Sequence, residues 1–180
     1  MPMLIADSKV REIFQHLENA EENTNLYAEL SRHPFIEDVS GFVSVPVPPG
    51  FKLIRINARF EDCFEIALMS ESESKIVYYN KVNILKDVAL FQTSDLRRAT
   101  QVLVWRSADY EYSSVLSDLP KSVFFDYLLK CYYVVVSDSQ QTVDGSRFWG
   151  YCLTRALATN LYVYHYNFMH GILSPISTKE

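Results

Sequence analysis

Hydrophobic and polar positions change period several times along the chain, and each change marks an element. Ser8 can cap a helix in which Val10, Ile13, Phe14 and Leu17 recur at helical spacing. Asn23 to Arg32 predicts a second helix with Leu26, Tyr27 and Leu30 on one side, ended at His33-Pro34 because the residue before proline avoids the α region. This places a helical part over residues 8–33. Residues 41–50 hold Pro46, Pro48 and Pro49, each without a backbone donor, so they predict an extended connection and the best hinge in the chain.

From Phe51 the pattern becomes strand-like. Leu53–Asn57, Phe64–Leu68 and Lys75–Tyr79 are short strands, the last two joined by the polar turn Ser70–Ser74 as an antiparallel hairpin. Val88–Gln92 and Gln101–Arg106 add two more. Pro120–Lys130 predicts a helix through Val123, Phe124, Tyr127 and Leu128. Cys131–Ser137 predicts a strand buried on both faces. Gly145–Thr159 is an amphipathic helix with Phe148, Trp149, Cys152, Leu153, Ala156 and Leu157 inward, capped by Asn160. Leu161–Tyr166 is a last strand and the tail from Ser174 should fray. Strand, helix and strand in succession predict a right-handed parallel βαβ unit. The expected fold class is α/β (α+β): one domain over 1–180, with a mixed, largely antiparallel sheet and a C-terminal parallel βαβ unit.

Composition narrows the function. With 48% hydrophobic residues in 180, the chain can fill a core without disulfides or metals. A net charge of −5 speaks against a broad nucleic-acid-binding face. The N-terminus has no basic, apolar leader, and no run reaches the roughly 18–20 apolar residues of a membrane span, so a cytoplasmic protein is expected. Cys63, Cys131 and Cys152 have no zinc or redox spacing and are expected to be reduced core thiols; no metal site is expected. Neither a Walker loop nor a Gly-x-Ser-x-Gly elbow occurs, so His165 and His170 beside Ser137, Asp138 and Ser139 do not make a convincing triad. Glu71 and Glu73 read as a solvated turn, and Arg97, Arg98 and Arg106 as a small positive group.

The segment with the most chemistry follows the Val134–Val136 strand. Ser137 to Gly145 is a loop feeding a helix N-terminus, where free N–H groups and the helix dipole favour an anion. Gly145 permits close approach, Arg147 adds charge, and Gln140 or Gln141 can donate an amide. Equally, Thr142 or Asp144 can simply cap the helix.

The stretch from Val135 through Gln140, Gln141 and Gly145 to Trp149, followed by a helix and an apolar strand, resembles the acetyl-CoA segment of the GNAT N-acetyltransferase superfamily, above all the divergent GNAT-like proteins of bacteriophages. Aligning Gln140 with the first position of that family's Gln/Arg-x-x-Gly-x-Gly/Ala loop puts Gly145 at the last, with Val143 in place of the first glycine. The resemblance implies an acyl-CoA-dependent N-acyltransferase, or a catalytically decayed relative. It implies acetyl-CoA held by Val136, Ser137, Gln140, Gln141, Gly145, Ser146 and Arg147, and a tyrosine protonating the leaving thiolate. Tyr164 and Tyr166 are the candidates offered for that acid, against their reading as one face of a strand. The alternative is a non-enzymatic phage effector. The chain's 12 Tyr and 11 Phe suit an interface, and its acidity suits a basic host protein. An unpaired sheet edge also makes a homodimer an expected assembly.

Overall fold

The computed structural model describes residues 7–86, 97–136, 143–167 and 170–176. Helix α1 (Asp7–Glu18) and helix α2 (Ala20–Ser31) are separated only by Asn19, whose side-chain oxygen accepts from Glu21 N and Glu22 N and so starts α2. The capping asparagine lies four residues ahead of the predicted start, and two glutamates fill the first turn, where the helix dipole favours them.

Six strands form one sheet in sequence order: β1 (Ile36–Asp38), β2 (Phe51–Ile56), β3 (Cys63–Ser70), β4 (Lys75–Ile84), β5 (Arg98–Arg106) and β6 (Tyr132–Val134). Each junction is antiparallel except the last, where β5 and β6 run parallel. Side-chain alternation divides the core. Phe64, Ile66, Leu68, Tyr78, Val82 and Val102 face one way; Ile54, Ile56, Ala67, Met69, Tyr79 and Leu103 face the other. A bulge between Leu68 and Met69 lets Val77 and Tyr78 share a face.

Helices cover both faces. Phe14 and Leu17 of α1 and Leu26 and Leu30 of α2 pack on the second set. The first set is covered by the connection from β5 to β6. It comprises a 3-10 turn (Tyr110–Tyr112), α3 (Ser113–Leu116), α4 (Leu119–Ser122), a π-helical stretch (Val123–Leu128) and α5 (Leu129–Cys131). Helix α6 (Val143–Ala158) joins that layer through Cys152, Phe148 and Trp149. The Pro-rich connection is irregular and is tied down: Ser44 donates to Asp126 through both its N–H (3.0 Å) and its hydroxyl (2.6 Å).

Four expectations are corrected. The parallel βαβ unit is not built from Cys131–Ser137 and Leu161–Tyr166. It lies one connection earlier, between β5 and β6, while β7 (Tyr164–Asn167) pairs antiparallel with β8 (Ile172–Pro175) in a separate two-stranded ribbon. The handedness rule holds only for strands of one sheet, and β8, a few residues from β7, closes a far shorter loop than β6 does. Second, β6 is not buried on both faces: it has three half-buried residues and, among the described residues, pairs with β5 alone. Third, Ser174 and Pro175 belong to β8 and do not fray. Fourth, Cys131 is exposed, whereas Cys152 is buried and Cys63 partly so. The predicted strand Val88–Gln92 lies outside the described residues. Asn160, with φ at +58°, does end α6, and Leu161 N–H donates to Ala156 O at 2.9 Å.

Candidate functional site

Ser137, Gln140 and Gln141 lie outside the described residues. Of the rest of the predicted anion segment, Val136 is half-buried just after β6, and Gly145, Ser146 and Arg147 open helix α6, the last two exposed. Beside them the parallel ladder is short. It pairs Arg98–Thr100 with Tyr132–Val134 and closes with Val135 N–H donating to Thr100 O at 2.8 Å. Strand β5 runs on to Arg106, and among the described residues no strand pairs with that further stretch on the β6 side. Leu85 N–H donates to Ala99 O, and Ser107 N–H to Val77 O. The odd-numbered residues therefore serve β4, and the amides of Val102 and Val104 face the open side. Tyr164 and Tyr166 are not in this sheet. They sit on β7, where Tyr164 is exposed and stacks on Tyr162.

A second region shows in the sequence only as a count of charges, with no motif to mark it. Between Glu12 and Asp38 stand seven acids and one arginine, while the rest of the chain holds fifteen acids and sixteen basic residues. Helix α1 also carries Asp7, Lys9 and Arg11, so the stretch from Asp7 to Asp38 holds the whole net charge of −5, and the seven carboxylates from Glu12 on are exposed. Phe35 (60% exposed) and Ile36 lie in the same stretch, beside Glu37 and Asp38. The β1 edge thus offers apolar side chains framed by negative charge.

Behind this layer an open cleft is lined by His16, Glu22, Asn25, Leu26, Glu29 and Arg59. Arg59 holds Glu29 by two hydrogen bonds (2.9 and 3.1 Å) and reaches Oε1 of Glu65 at 2.7 Å. Glu65 is fully buried, and its Oε1 also accepts from the Tyr79 hydroxyl. Its Oε2 has no partner among the described residues. Burial drives the Tyr79 phenol upward, and the Glu65 charge adds to that, so the hydroxyl stays a donor. Burial holds the His16 imidazole below its ordinary value, with Arg59 acting in the same direction. A signal for this network did exist: Glu65 interrupts the otherwise apolar run Cys63–Met69.

Several chemistries find no support here. Burial pushes the Cys63 thiol up to about 11 and the Cys152 thiol to about 12, so neither is a nucleophile at neutral pH. Among the described residues no three His, Cys, Asp or Glu side chains converge as a metal site, and no helix is long and apolar enough to cross a membrane. No family model, curated protein or solved structure matches the chain.

Proposed function

We propose that the chain is a non-enzymatic binding protein, an effector that holds a basic surface of a partner protein against its α1–α2–β1 layer. The observation that carries this reading is the segregation of charge: between Asp7 and Asp38 that layer holds eight acids, seven of them from Glu12 on and exposed, against Lys9, Arg11 and Arg32, in a chain otherwise balanced at fourteen of each sign. Such a field speeds the encounter with a cationic partner and repels nucleic-acid phosphates. Exposed ion pairs contribute only about 0–1 kcal/mol each, so affinity has to come from an apolar anchor. Phe35 and Ile36 supply that anchor beside Glu37 and Asp38.

The test is affinity capture of a host protein followed by binding kinetics on the purified pair. Glu21→Lys with Glu22→Lys should slow association at least tenfold, and wild-type association should fall steeply with salt. Phe35→Ala should mainly speed dissociation. A captured partner whose binding ignores both charge reversal and salt would overturn the reading.

One observation favours a second reading, an acyl-CoA-dependent N-acyltransferase or its decayed relative. The β5/β6 ladder ends at Thr100 and Val134, leaving the Val102 and Val104 amides beside a parallel junction. The carboxyl ends of parallel strands are where open sheets commonly take ligands. An extended cofactor arm can add there as a strand does, with its diphosphate toward Gly145, Ser146 and Arg147. Isothermal titration with acetyl-CoA decides it: micromolar binding that weakens in Gly145→Glu supports the cofactor site, and absence of heat removes it.

A further inference from the structure

We infer that β7 is a dimerisation strand, and that two copies of this chain join β7 to β7 across a two-fold axis into one four-stranded sheet, β8-β7-β7-β8. The ribbon of β7 and β8 is incomplete by itself. A two-stranded hairpin is marginal in water, and three or more strands with an apolar face are needed for independent stability. This ribbon shares no strand with the six-stranded sheet, and it exposes large apolar side chains on both faces. Tyr162 (89%) and Tyr164 point to one face, and Ile172 (55%) and Ile176 to the other.

Hydrogen-bond parity says which edge is offered. Ile176 N–H donates to Val163 O at 2.8 Å, so Val163 and His165 spend their amides on β8. The backbone groups of Tyr162 and Tyr164 therefore face outward. On β8 the outward position opposite Tyr164 is Pro175, which has no N–H to give. Natural sheets guard exposed edges with lysine, proline or bulges. Strand β8 carries such a guard and β7 carries none.

Charge identifies the occupant as a second copy. Residues 156–178 contain no Asp, Glu, Lys or Arg in a chain that is 22% charged. A basic or acidic partner finds nothing to pair with there. Two copies carry the same net charge, and this uncharged strip is a place where they meet without setting their acidic layers against each other. An antiparallel pairing of identical strands is isologous, so the assembly closes at two. Stable interfaces bury upward of about 1,200 Å² in total, an area within reach of large side chains worth ~150–250 Å² each on two ribbons.

The experiment is sedimentation velocity on the full chain across the micromolar range, with far-UV circular dichroism to check folding. The wild type should sediment at twice 20.8 kDa, with a dimer as strong or stronger at high salt. Tyr164→Pro removes an outward donor without touching a β7–β8 bond, and Tyr164→Lys adds the missing guard. Both should weaken association at least tenfold. If the proline variant misfolds, the lysine variant decides. Ile36→Lys, on the β1 edge of the six-stranded sheet, should remain dimeric. A monomeric wild type, dimers that survive Tyr164→Lys, or dissociation by Ile36→Lys would each overturn the inference.

Discussion

The two faces of the six-stranded sheet are covered by helices of opposite character. On the α1–α2 side, polar bonds locate the layer: Asn23 donates to Leu17 O (2.9 Å) and Ile76 O (3.0 Å) and accepts from Ile76 N–H, while Arg59 ties Glu29 to the buried Glu65. On the other side aromatic packing does most of it, beside the hydrogen bonds from Ser44 to Asp126 and from Arg55 to the Tyr127 hydroxyl. Phe124 meets Phe125, Phe148 and Trp149 edge-on, and Arg55 lies 3.9 Å above the Phe64 ring. Directional bonds fix one position and cost heavily when half broken. Apolar packing tolerates small shifts but loses stability with every atom removed. The acidic layer is thus set in one place on the sheet.

Variants on the two sides sharpen this contrast. The largest loss is expected from Phe124→Ala, about 3–5 kcal/mol by chemical denaturation, because it removes the ring on which α6 seats. Arg59→Met should cost about 3 kcal/mol, since it strands a fully buried carboxylate. Replacing Glu65 by Leu in the same chain should recover most of that loss, whereas no second change of this kind rescues Phe124→Ala. If the double variant is no more stable than Arg59→Met, the ion pair is not what locates the helices. Asn23→Ala should cost about 2 kcal/mol by leaving the Ile76 amide and carbonyl unsatisfied, with the loss seen as faster hydrogen exchange at the start of β4.

Smaller effects separate the faces by pH. Burial raises the Asp126 carboxyl, but hydrogen bonds from Ser122 and Ser44 outweigh it and hold the group below its ordinary value. Its stabilisation is present above the unfolded value of 3.8 and fades as pH falls through the folded one. Asp126→Asn should therefore cost about 1 kcal/mol at pH 7 and almost nothing in strong acid. His16 is also depressed in the fold, so its contribution begins to fade as pH drops past 6.5. His16→Gln should flatten the stability curve between neutral pH and 5, and an unchanged curve would place the imidazole outside the cleft's electrostatics. This is the smallest effect, confined to the acidic side.

Much of the fold was legible because the informative residues are local. The turn Ser70–Ser74 joins β3 to β4 as its composition implies, and Ser74 takes φ +52° there. Asn160 ends α6, and Phe148, Trp149, Cys152 and Ala156 mark the inward side of that helix, with Leu157 half-buried, whereas Leu153, expected with them, is exposed. The candidate sites were less legible. Arg59, Glu65 and Tyr79 come from a loop and two strands, so no spacing announces them, and the one clue was a glutamate inside an apolar strand. The sequence pattern starts α2 at Asn23, which is a buried cross-link inside the helix, while the cap is Asn19.

By itself the sequence determined where period-two and helical patterns alternate, how much apolar side chain there is to bury, and that its excess negative charge lies between Glu12 and Asp38. These follow from short-range geometry and composition, which any local stretch carries. Only the tertiary structure decided that β6 pairs with β5, that β7 turns back on β8, and that Glu65 faces Arg59 beneath α2. Those outcomes depend on which of several compatible partners closes the cheapest loop and buries the most surface, a competition settled across the whole chain at once.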